Sequence, residues 1–206
     1  MQIKPFLPII FLITSPMVTA NAPLHKIYAD HQITFFCEQK FSSQNKIQWI
    51  PIIPLKQLAQ NRLCYREKIC INRKGVRFKG LRCCQEVDPL FQKMKNDLHN
   101  WVPETNSVKQ QRRNAGFGLV KEPIVPIPGC HFYLDSKRKR LEPSPLVRGM
   151  IARTYLYMKD SYHLSLPPED LALFMAWHQQ YPVTAWERTR NQRIRDLQGN
   201  GNHYVL

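Results

Sequence analysis

Six cysteines constrain the fold of this 206-residue chain more than any other feature of its sequence. They are Cys37, Cys64, Cys70, Cys83, Cys84 and Cys130. An even number of cysteines predicts disulfides if the chain is exported, and six cysteines allow 15 connectivities, between which the sequence does not choose. Structural zinc is the alternative, but none of these cysteines forms a Cys-x-x-Cys pair, which such a site would favour. The sequence therefore predicts a cross-linked fold.

The N-terminal residues predict export. A lone positive charge at Lys4 precedes an apolar run over residues 6–13, and the ending TANA at residues 19–22 fits an A-x-A cleavage site. The run is far shorter than the roughly 20 residues of a spanning helix, although an uncleaved anchor or a buried strand is the alternative. We expect a signal peptide over residues 1–22, one domain over residues 23–206, and a secreted or periplasmic protein without a transmembrane segment.

The charge balance predicts a polyanionic partner. The chain has 30 Lys and Arg against 15 Asp and Glu, a formal net charge of +15. Such a balance favours DNA, RNA or an anionic surface, although basic runs are also common in solvated loops. One cluster surrounds the single acid Glu67 and consists of Arg62, Arg66, Lys68, Arg73, Lys74, Arg77, Lys79 and Arg82. A second run, KRKR at residues 137–140, falls in a predicted turn.

The first half of the chain has the patterns of short strands and loops. QITFFC (residues 32–37) and KIQWIPII (residues 46–53) are rich in β-branched and aromatic residues, which favours strands. Pro51 and Pro54 confine the second segment to a sheet edge or a broken strand. RKGVRFKG (residues 73–80) predicts a hairpin arm that opens on a Lys-Gly turn.

Four helices are predicted after residue 87, which together with the short strands indicates an α+β fold. Asp88 caps the first and Pro89 occupies its first turn. The second covers residues 145–162, and the third follows residues 167–170. The fourth begins with a Thr184-x-x-Glu187 capping box and ends at Gly199. Their expected buried residues are, in order, Phe91, Met94, Leu98 and Trp101; Leu146, Met150, Ile151, Tyr155 and Met158; Leu171, Phe174 and Trp177; and Trp186, Ile194 and Leu197.

Several segments together resemble one family, the bacterial endonuclease I group of secreted, periplasmic DNA-degrading enzymes. They are DLHNWVP (97–103), RGMIARTYLYM (148–158), YPVTAWE (181–187) and RIRDLQGNGNHYV (193–205), with weaker matches at FFC (35–37) and KGLRCC (79–84). The resemblance implies a mixed fold with a ββα-metal motif and several C-terminal helices. It also implies phosphodiester hydrolysis with one Mg²⁺ and a histidine base.

The family pattern implies a Trp-Glu-His-x-x-Pro motif, whose glutamate binds the metal and whose histidine is the general base. Here QWIPIIP (48–54) aligns through Trp49 and Pro54, which places Ile50 at the glutamate and Pro51 at the histidine. The family's Val-Asn-Gly-x-Arg-x-Asn corresponds to VKQQRRN (108–114), so Lys109 replaces the metal-binding asparagine. Isoleucine and proline offer no ligand or base, and a lysine repels the cation.

The phosphate-holding arginine of the family aligns with Leu81, although Arg82 is adjacent, while Arg112 and Asn114 match the family pattern. The resemblance therefore implies that the catalytic positions are lost, and we expect neither a bound metal nor another cofactor where the family uses Mg²⁺. His99 lies in the family's Asp-x-His-Asn segment and is interpreted as structural.

These observations predict a monomeric pseudo-nuclease that binds DNA or another polyanion. Its expected contacts are Arg82, Lys109, Arg112 and Arg113. One alternative is an active Mg²⁺-dependent, non-specific endodeoxyribonuclease with a rearranged site, for which Glu104 or Asp97 would supply a carboxylate. The other is a secreted interaction protein that contacts an anionic surface through residues 137–140.

Overall fold

The computed structural model describes residues 22–42, 47–121 and 129–206 of the chain, so residues 1–21 of the predicted signal peptide lie outside it. The helices of this part are α1 (Ala22–Ile27), α2 (Leu55–Ala59), α3 (Leu63–Arg66), α4 (Leu81–Val87), α5 (Pro89–Asn96), α6 (Asn106–Arg112), α7 (Pro145–Tyr162), α8 (Pro168–Gln180) and α9 (Ala185–Gln198). The strands are β1 (Ile47–Pro51), β2 (Cys70–Ile71), β3 (Arg77–Phe78), β4 (Trp101–Thr105), β5 (Gly116–Phe117), β6 (Tyr133–Asp135) and β7 (Arg140–Glu142). Small sheets with helices packed on them confirm the α+β prediction.

A two-stranded antiparallel ribbon, β1 with β4, carries the segments of the predicted site. Ile50 lies opposite Val102 in the register, and both side chains are buried in the main core. Within the described residues each strand has only the other as its partner, so Pro51 and Pro103 remove no hydrogen bond to a third strand. This confirms that the segment is an edge strand; its predicted first residue, Lys46, lies outside the described part.

Helix α6 follows β4 without a loop and completes a ββα unit. The Thr105 side chain caps the helix by accepting a hydrogen bond from the backbone N–H of Val108, at 3.3 Å. Val108 is fully buried, so this face of the helix is fixed against the ribbon. Residues 109–113 therefore lie beside β1.

The cysteines form three disulfides, Cys37–Cys130, Cys64–Cys84 and Cys70–Cys83. The prediction of disulfides is confirmed, and because all six sulfurs are used, none is left for zinc. Two of the three bonds hold the part of the chain that contains α3, the β2–β3 hairpin and α4. Residues 62–87 are called the clasped segment below. The predicted turn is present in its hairpin, where Gly75 has a φ of +76°.

The C-terminal helices begin and end where their caps predict. The Asp88 carboxylate accepts from the backbone N–H of Phe91, at 3.0 Å, and Pro89 starts α5. The Thr184 hydroxyl accepts from the N–H of Glu187, at 3.1 Å, and Gly199 ends α9 with a φ of +87°. Helix α7 is buried along most of its length and forms the centre of the core.

A buried ion pair joins α7 to α9. The Arg153 guanidinium donates two hydrogen bonds to the Glu187 carboxylate, at 2.7 and 2.6 Å, and a third to the carbonyl of Tyr181, at 2.8 Å. Gly149 allows this approach, because a Cβ there would stand 2.6 Å from the Tyr181 carbonyl oxygen. The pair fixes the three C-terminal helices relative to one another.

The prediction of a strand over residues 32–37 is wrong. This segment forms one isolated bridge, between Ile33 and Lys40, and then a turn. Its donors are used elsewhere: the N–H of Phe35 donates to the carbonyl of Pro103, at 2.9 Å, and the N–H of Phe36 to the carboxylate of Glu104, at 2.6 Å. The segment is therefore held against β4 by single contacts instead of a ladder.

Some helical residues also depart from prediction. Helix α5 ends at Asn96, because Asp97 caps a separate turn (Leu98–Asn100), and Trp101 belongs to β4. Leu146 is 72% exposed and Leu197 is 41% exposed, since both lie in terminal turns that extend past the core. None of the described helices has the length and apolar character needed to cross a bilayer.

Candidate functional site

The ribbon and α6 bring the expected metal positions together without metal-binding groups. Ile50 is only 2% exposed and its side chain belongs to the apolar core. Pro51 is half-buried, and its carbonyl oxygen accepts a hydrogen bond from Nη1 of Arg112, at 2.6 Å. Neither side chain therefore offers a donor atom where the family pattern requires a carboxylate and a base.

Lys109 lies on the exposed face of α6 and contacts the ribbon. Its Nζ donates to Oε1 of Gln48, at 3.2 Å. The only oxygen in this contact is Oε1 of Gln48, and it already accepts a hydrogen bond from the ammonium group of Lys109. Because Mg²⁺ requires several hard oxygen ligands and is repelled by a neighbouring cation, the residues present do not fit the ion.

Arg112 has a different place from the one predicted. It is 4% exposed, and its guanidinium donates to the carbonyls of Pro51 and Ile52 while lying 5.2 Å from the ring of Phe36 and 4.8 Å from that of Phe117. Burial lowers its pKa to about 10, so it stays charged at neutral pH. Arg112 holds the end of β1 onto α6, and its buried side chain does not form a surface patch with Lys109.

Leu81 occupies the position at which the resemblance expects a phosphate-holding arginine. Leu81 is partly buried and packs against the core at the start of α4. The neighbouring Arg82 is exposed, but its Nε donates to the carboxylate of Glu86, at 3.0 Å, and its guanidinium lies 5.1 Å from the ring of Phe78. Arg82 is thus engaged within the clasped segment.

The two carboxylates considered for a rearranged site are inside the protein. Glu104 is fully buried, accepts from the N–H groups of Phe36 and Thr105, and has a pKa raised by its burial. Asp97 accepts hydrogen bonds from the hydroxyls of Tyr157, at 2.7 Å, and Tyr162, at 2.6 Å. Both are structural hydrogen-bond acceptors.

His99 is buried beside this tyrosine pair, as its structural interpretation expects. Its ring stands 4.8 Å from that of Tyr157 in an edge-on contact. Burial, with the charge of Arg190, lowers its pKa to about 4, so the ring is neutral at pH 7. His99 and the two carboxylates are all buried, and Glu104 lies directly opposite Gln48 in the ribbon register.

A basic groove of about 950 Å³ opens beside the C-terminal end of α6. Its charged lining residues are Lys56, Arg112, Arg113, Arg138, Lys139, Arg140 and Asp170, and its neutral polar residues include Gln57, Gln60, Gln110, Gln111, Asn114 and Ser136. Helix α2, the end of α6 and the β6–β7 turn therefore form its walls. The buried guanidinium of Arg112 adds positive charge to the floor.

Two arginines of the groove are paired with acids. Arg140 donates to Asp170, at 2.8 Å, and Arg138 to Asp135, at 2.9 Å. In the described part of the chain no salt bridge engages Lys56, Arg113 or Lys139. These three exposed cations are the groups best placed to meet an anionic ligand.

Sequence reasoning found the groove only in part. Arg113 is one of the expected DNA contacts, which stay a prediction, and the run at 137–140 is a predicted basic turn that favours phosphate binding, with a separate surface contact as its alternative role. Lys56 was missed, because a single lysine in a short helix carries no signal in the sequence.

The comparisons with known proteins decide the family. The model of the family Endonuclease I matches residues 15–206. The chain belongs to the endonuclease I family. It is 30% identical to an extracellular deoxyribonuclease of Aeromonas hydrophila over 90% of this chain and 87% of that protein, and 32% identical to a periplasmic deoxyribonuclease of the same organism over 88% and 81%. An endonuclease-1 of Buchnera aphidicola is 33% identical over 78% of this chain and 59% of its own length.

This endonuclease I family chain keeps the ββα unit on which the family motif is expected. The ribbon, the helix and the arginine that joins them are all present. Ile50, Pro51 and Lys109, the residues expected at the family's catalytic positions, lie on these elements. The scaffold of the site is therefore present, and the loss of its ligands stays a prediction from the resemblance.

Proposed function

We propose that this endonuclease I family protein is exported and binds DNA through its basic groove without hydrolysing it. The names of the extracellular and periplasmic deoxyribonuclease relatives support export and a DNA ligand, and the sequence of residues 1–22 supports the same location. The observation that carries the proposal is the contact of Lys109 with Gln48, which puts an ammonium group where the family resemblance implies a metal ligand.

Loss of hydrolysis follows from the chemistry of the altered positions. Removing a general base costs about 10²- to 10⁴-fold in rate, and removing the ligands of the ion also removes its charge stabilisation. A rearranged site is not favoured, because Glu104 and Asp97 are buried and hydrogen-bonded within the protein. We propose that neither forms a new metal site.

Binding follows from the charge and shape of the groove. Lys56, Arg113 and Lys139 can contact backbone phosphates, and the glutamine amides can add hydrogen bonds to them. Lys109 supplies a further cation beside the ribbon, in place of the ion. Because all of these groups recognise phosphate, we expect binding without sequence preference.

The alternative of a separate anionic-surface contact through residues 137–140 has less support. Arg140 and Arg138 are engaged by Asp170 and Asp135, and the turn forms one wall of the groove. If replacing residues 137–140 by glutamine left DNA binding intact but abolished retention on the cell envelope, this alternative would be preferred.

Cleavage is tested by relaxation of supercoiled plasmid by the oxidised chain without residues 1–22, in Mg²⁺ and in EDTA. We expect no cutting in either buffer. Cutting that EDTA abolishes would show a working metal site and would refute the proposed loss of activity. The variant Ile50→Glu/Pro51→His/Lys109→Asn shows whether those side chains alone separate the chain from a nuclease.

Binding is tested by fluorescence anisotropy of labelled duplex DNA at several salt concentrations. Four phosphate contacts, three in the groove and one at Lys109, predict a slope of log K against log salt of about −4, and Arg113→Gln/Lys139→Gln should make that slope shallower by about 2. The matched control, Lys93→Gln/Arg195→Gln, removes one lysine and one arginine from exposed helical positions outside the groove. Equal losses in both variants would mean that net charge, and not the groove, attracts the DNA. Light scattering of the same samples checks the proposed monomer.

A further inference from the structure

The β2–β3 hairpin of the clasped segment presents aliphatic side chains to solvent. Ile69 is 43% exposed, Ile71 is 60% exposed and Val76 is 58% exposed. Cys70 points inward to its disulfide with Cys83, so its neighbours Ile69 and Ile71 point outward. Val76 lies at the tip of the hairpin, between the turn and β3, and the three exposed side chains are together called the hairpin face.

The hairpin face is surrounded by cations. Arg77 lies directly opposite Ile71 in the strand register, and Arg73 and Lys74 occupy the turn. Within the described residues, none of these three cations forms a salt bridge with a carboxylate. Exposed aliphatic groups beside unpaired cations match the interface of an anionic bilayer, where acyl chains and phosphate headgroups meet.

The hairpin is also rigid enough to insert without first becoming ordered. Disulfides Cys64–Cys84 and Cys70–Cys83 fix its base to α3 and α4, and the Asn72 side chain accepts hydrogen bonds from the N–H groups of Lys74 and Val76, at 2.9 and 3.0 Å. The aliphatic groups therefore stay exposed, because the hairpin cannot fold them back onto the core.

We propose that the hairpin face docks the protein onto membranes rich in anionic phospholipid, a binding activity separate from that of the groove. Nucleic acid is the less suitable partner, since phosphates attract the cations but offer nothing to Ile69, Ile71 and Val76. Base stacking would need exposed aromatic rings, and the aromatic ring of β3, Phe78, already lies under the guanidinium of Arg82.

The test measures co-sedimentation of the oxidised chain with vesicles of phosphatidylcholine, with or without phosphatidylglycerol. We expect at least about tenfold stronger partitioning onto the anionic vesicles, and a further loss of about tenfold or more in Ile69→Ser/Ile71→Ser/Val76→Ser. The matched control is Leu119→Ser/Leu146→Ser/Leu197→Ser, which removes three other exposed leucines and should bind as the native chain does.

Two measurements separate docking from misfolding and from DNA binding. The hairpin variant should keep the native unfolding midpoint and the native affinity for duplex DNA, because its cations and the groove are unchanged. A second variant, Arg73→Gln/Lys74→Gln/Arg77→Gln, should weaken vesicle binding about fivefold per charge while keeping all three aliphatic groups.

Three results would overturn the proposal. Equal partitioning onto neutral and anionic vesicles would remove the role of charge. Unchanged vesicle binding by the Ile69→Ser/Ile71→Ser/Val76→Ser variant would mean that charge attracts the protein and that the hairpin does not insert into the bilayer. Loss of DNA affinity in that variant would make the hairpin a nucleic-acid contact.

Discussion

Substitution of Ile50 by glutamate tests how far this protein is from a metal-binding member of its family. The Ile50 side chain is 2% exposed and faces the core opposite Val102. Losing its burial costs about 2–3 kcal/mol, and placing a carboxyl group in the same space adds about 1–3 kcal/mol even when it is protonated. We expect Ile50→Glu to lower the free energy of unfolding by about 3–6 kcal/mol at pH 7, a large part of the 5–15 kcal/mol typical of a domain.

Lys109 determines what partner the introduced carboxylate has. Its Nζ lies 3.2 Å from Oε1 of Gln48, two residues before Ile50 on the same face of β1. Without metal, the lysine can pair with the carboxylate, so adding Lys109→Asn to Ile50→Glu should destabilise the protein further. In Mg²⁺ the double variant should be the more stable of the two, because asparagine and glutamate together offer hard oxygen ligands to the ion. At ten times its Kd, the bound ion would stabilise the fold by about 1.4 kcal/mol.

Urea denaturation of the native chain, both single variants and the double variant, in Mg²⁺ and in EDTA, measures the two effects. Ile71→Glu is the matched control, since its side chain is 60% exposed and the same change should cost within about 0.5 kcal/mol. A cost that small at position 50 would mean that the site is open to water and not part of the core. If the double variant has the same free energy of unfolding in Mg²⁺ and in EDTA, Lys109 is not the group that excludes the ion.

Two further predictions concern stability. Serine substitution of Cys37–Cys130, which closes a loop of 93 residues, should lower the free energy of unfolding by about 4–5 kcal/mol because of loop entropy. The same change at Cys70–Cys83, which closes 13 residues, should cost about 3 kcal/mol. Chemical denaturation of both variants measures the ranking, and a larger loss for the shorter loop would contradict it. The pKa of His99 is lowered from 6.5 to about 4 in the folded protein, so the unfolded chain takes up the proton first as pH falls. The contribution of neutral His99 to the free energy of unfolding is therefore complete above pH 6.5, and about 3 kcal/mol of it is lost by pH 4. His99→Phe should flatten that part of the stability profile, and an unchanged slope would assign the loss to other groups.

Local signals in the sequence predicted much of the fold. Asp88, Thr184 and Gly199 start and end helices where they should, because capping depends on a few neighbouring backbone groups. The strand predicted over residues 32–37 failed for the opposite reason. The N–H groups of Phe35 and Phe36 donate to Pro103 and Glu104, which are distant in sequence, and no local pattern reveals that choice.

The residues of the candidate site were also predictable only in part. Alignment with the family motif identified the positions of Ile50, Pro51 and Lys109, and the ββα unit brings all three together. It did not reveal that the Arg112 guanidinium is buried, because a matching letter in a motif does not distinguish a surface contact from an internal one. Lys56 joins Arg113 in the groove only through tertiary packing, so its position there could not be predicted from the sequence.

The position of Arg112 separates a requirement of the fold from the chemistry of the site. Its guanidinium donates to the carbonyls of half-buried Pro51 and buried Ile52, and leaving the Ile52 acceptor without a donor would cost about 1–3 kcal/mol. That requirement belongs to the backbone of β1 and is the same whether the strand carries glutamate and histidine or isoleucine and proline. The arginine is therefore needed for stability whatever the site binds, and its charge lies beneath the groove.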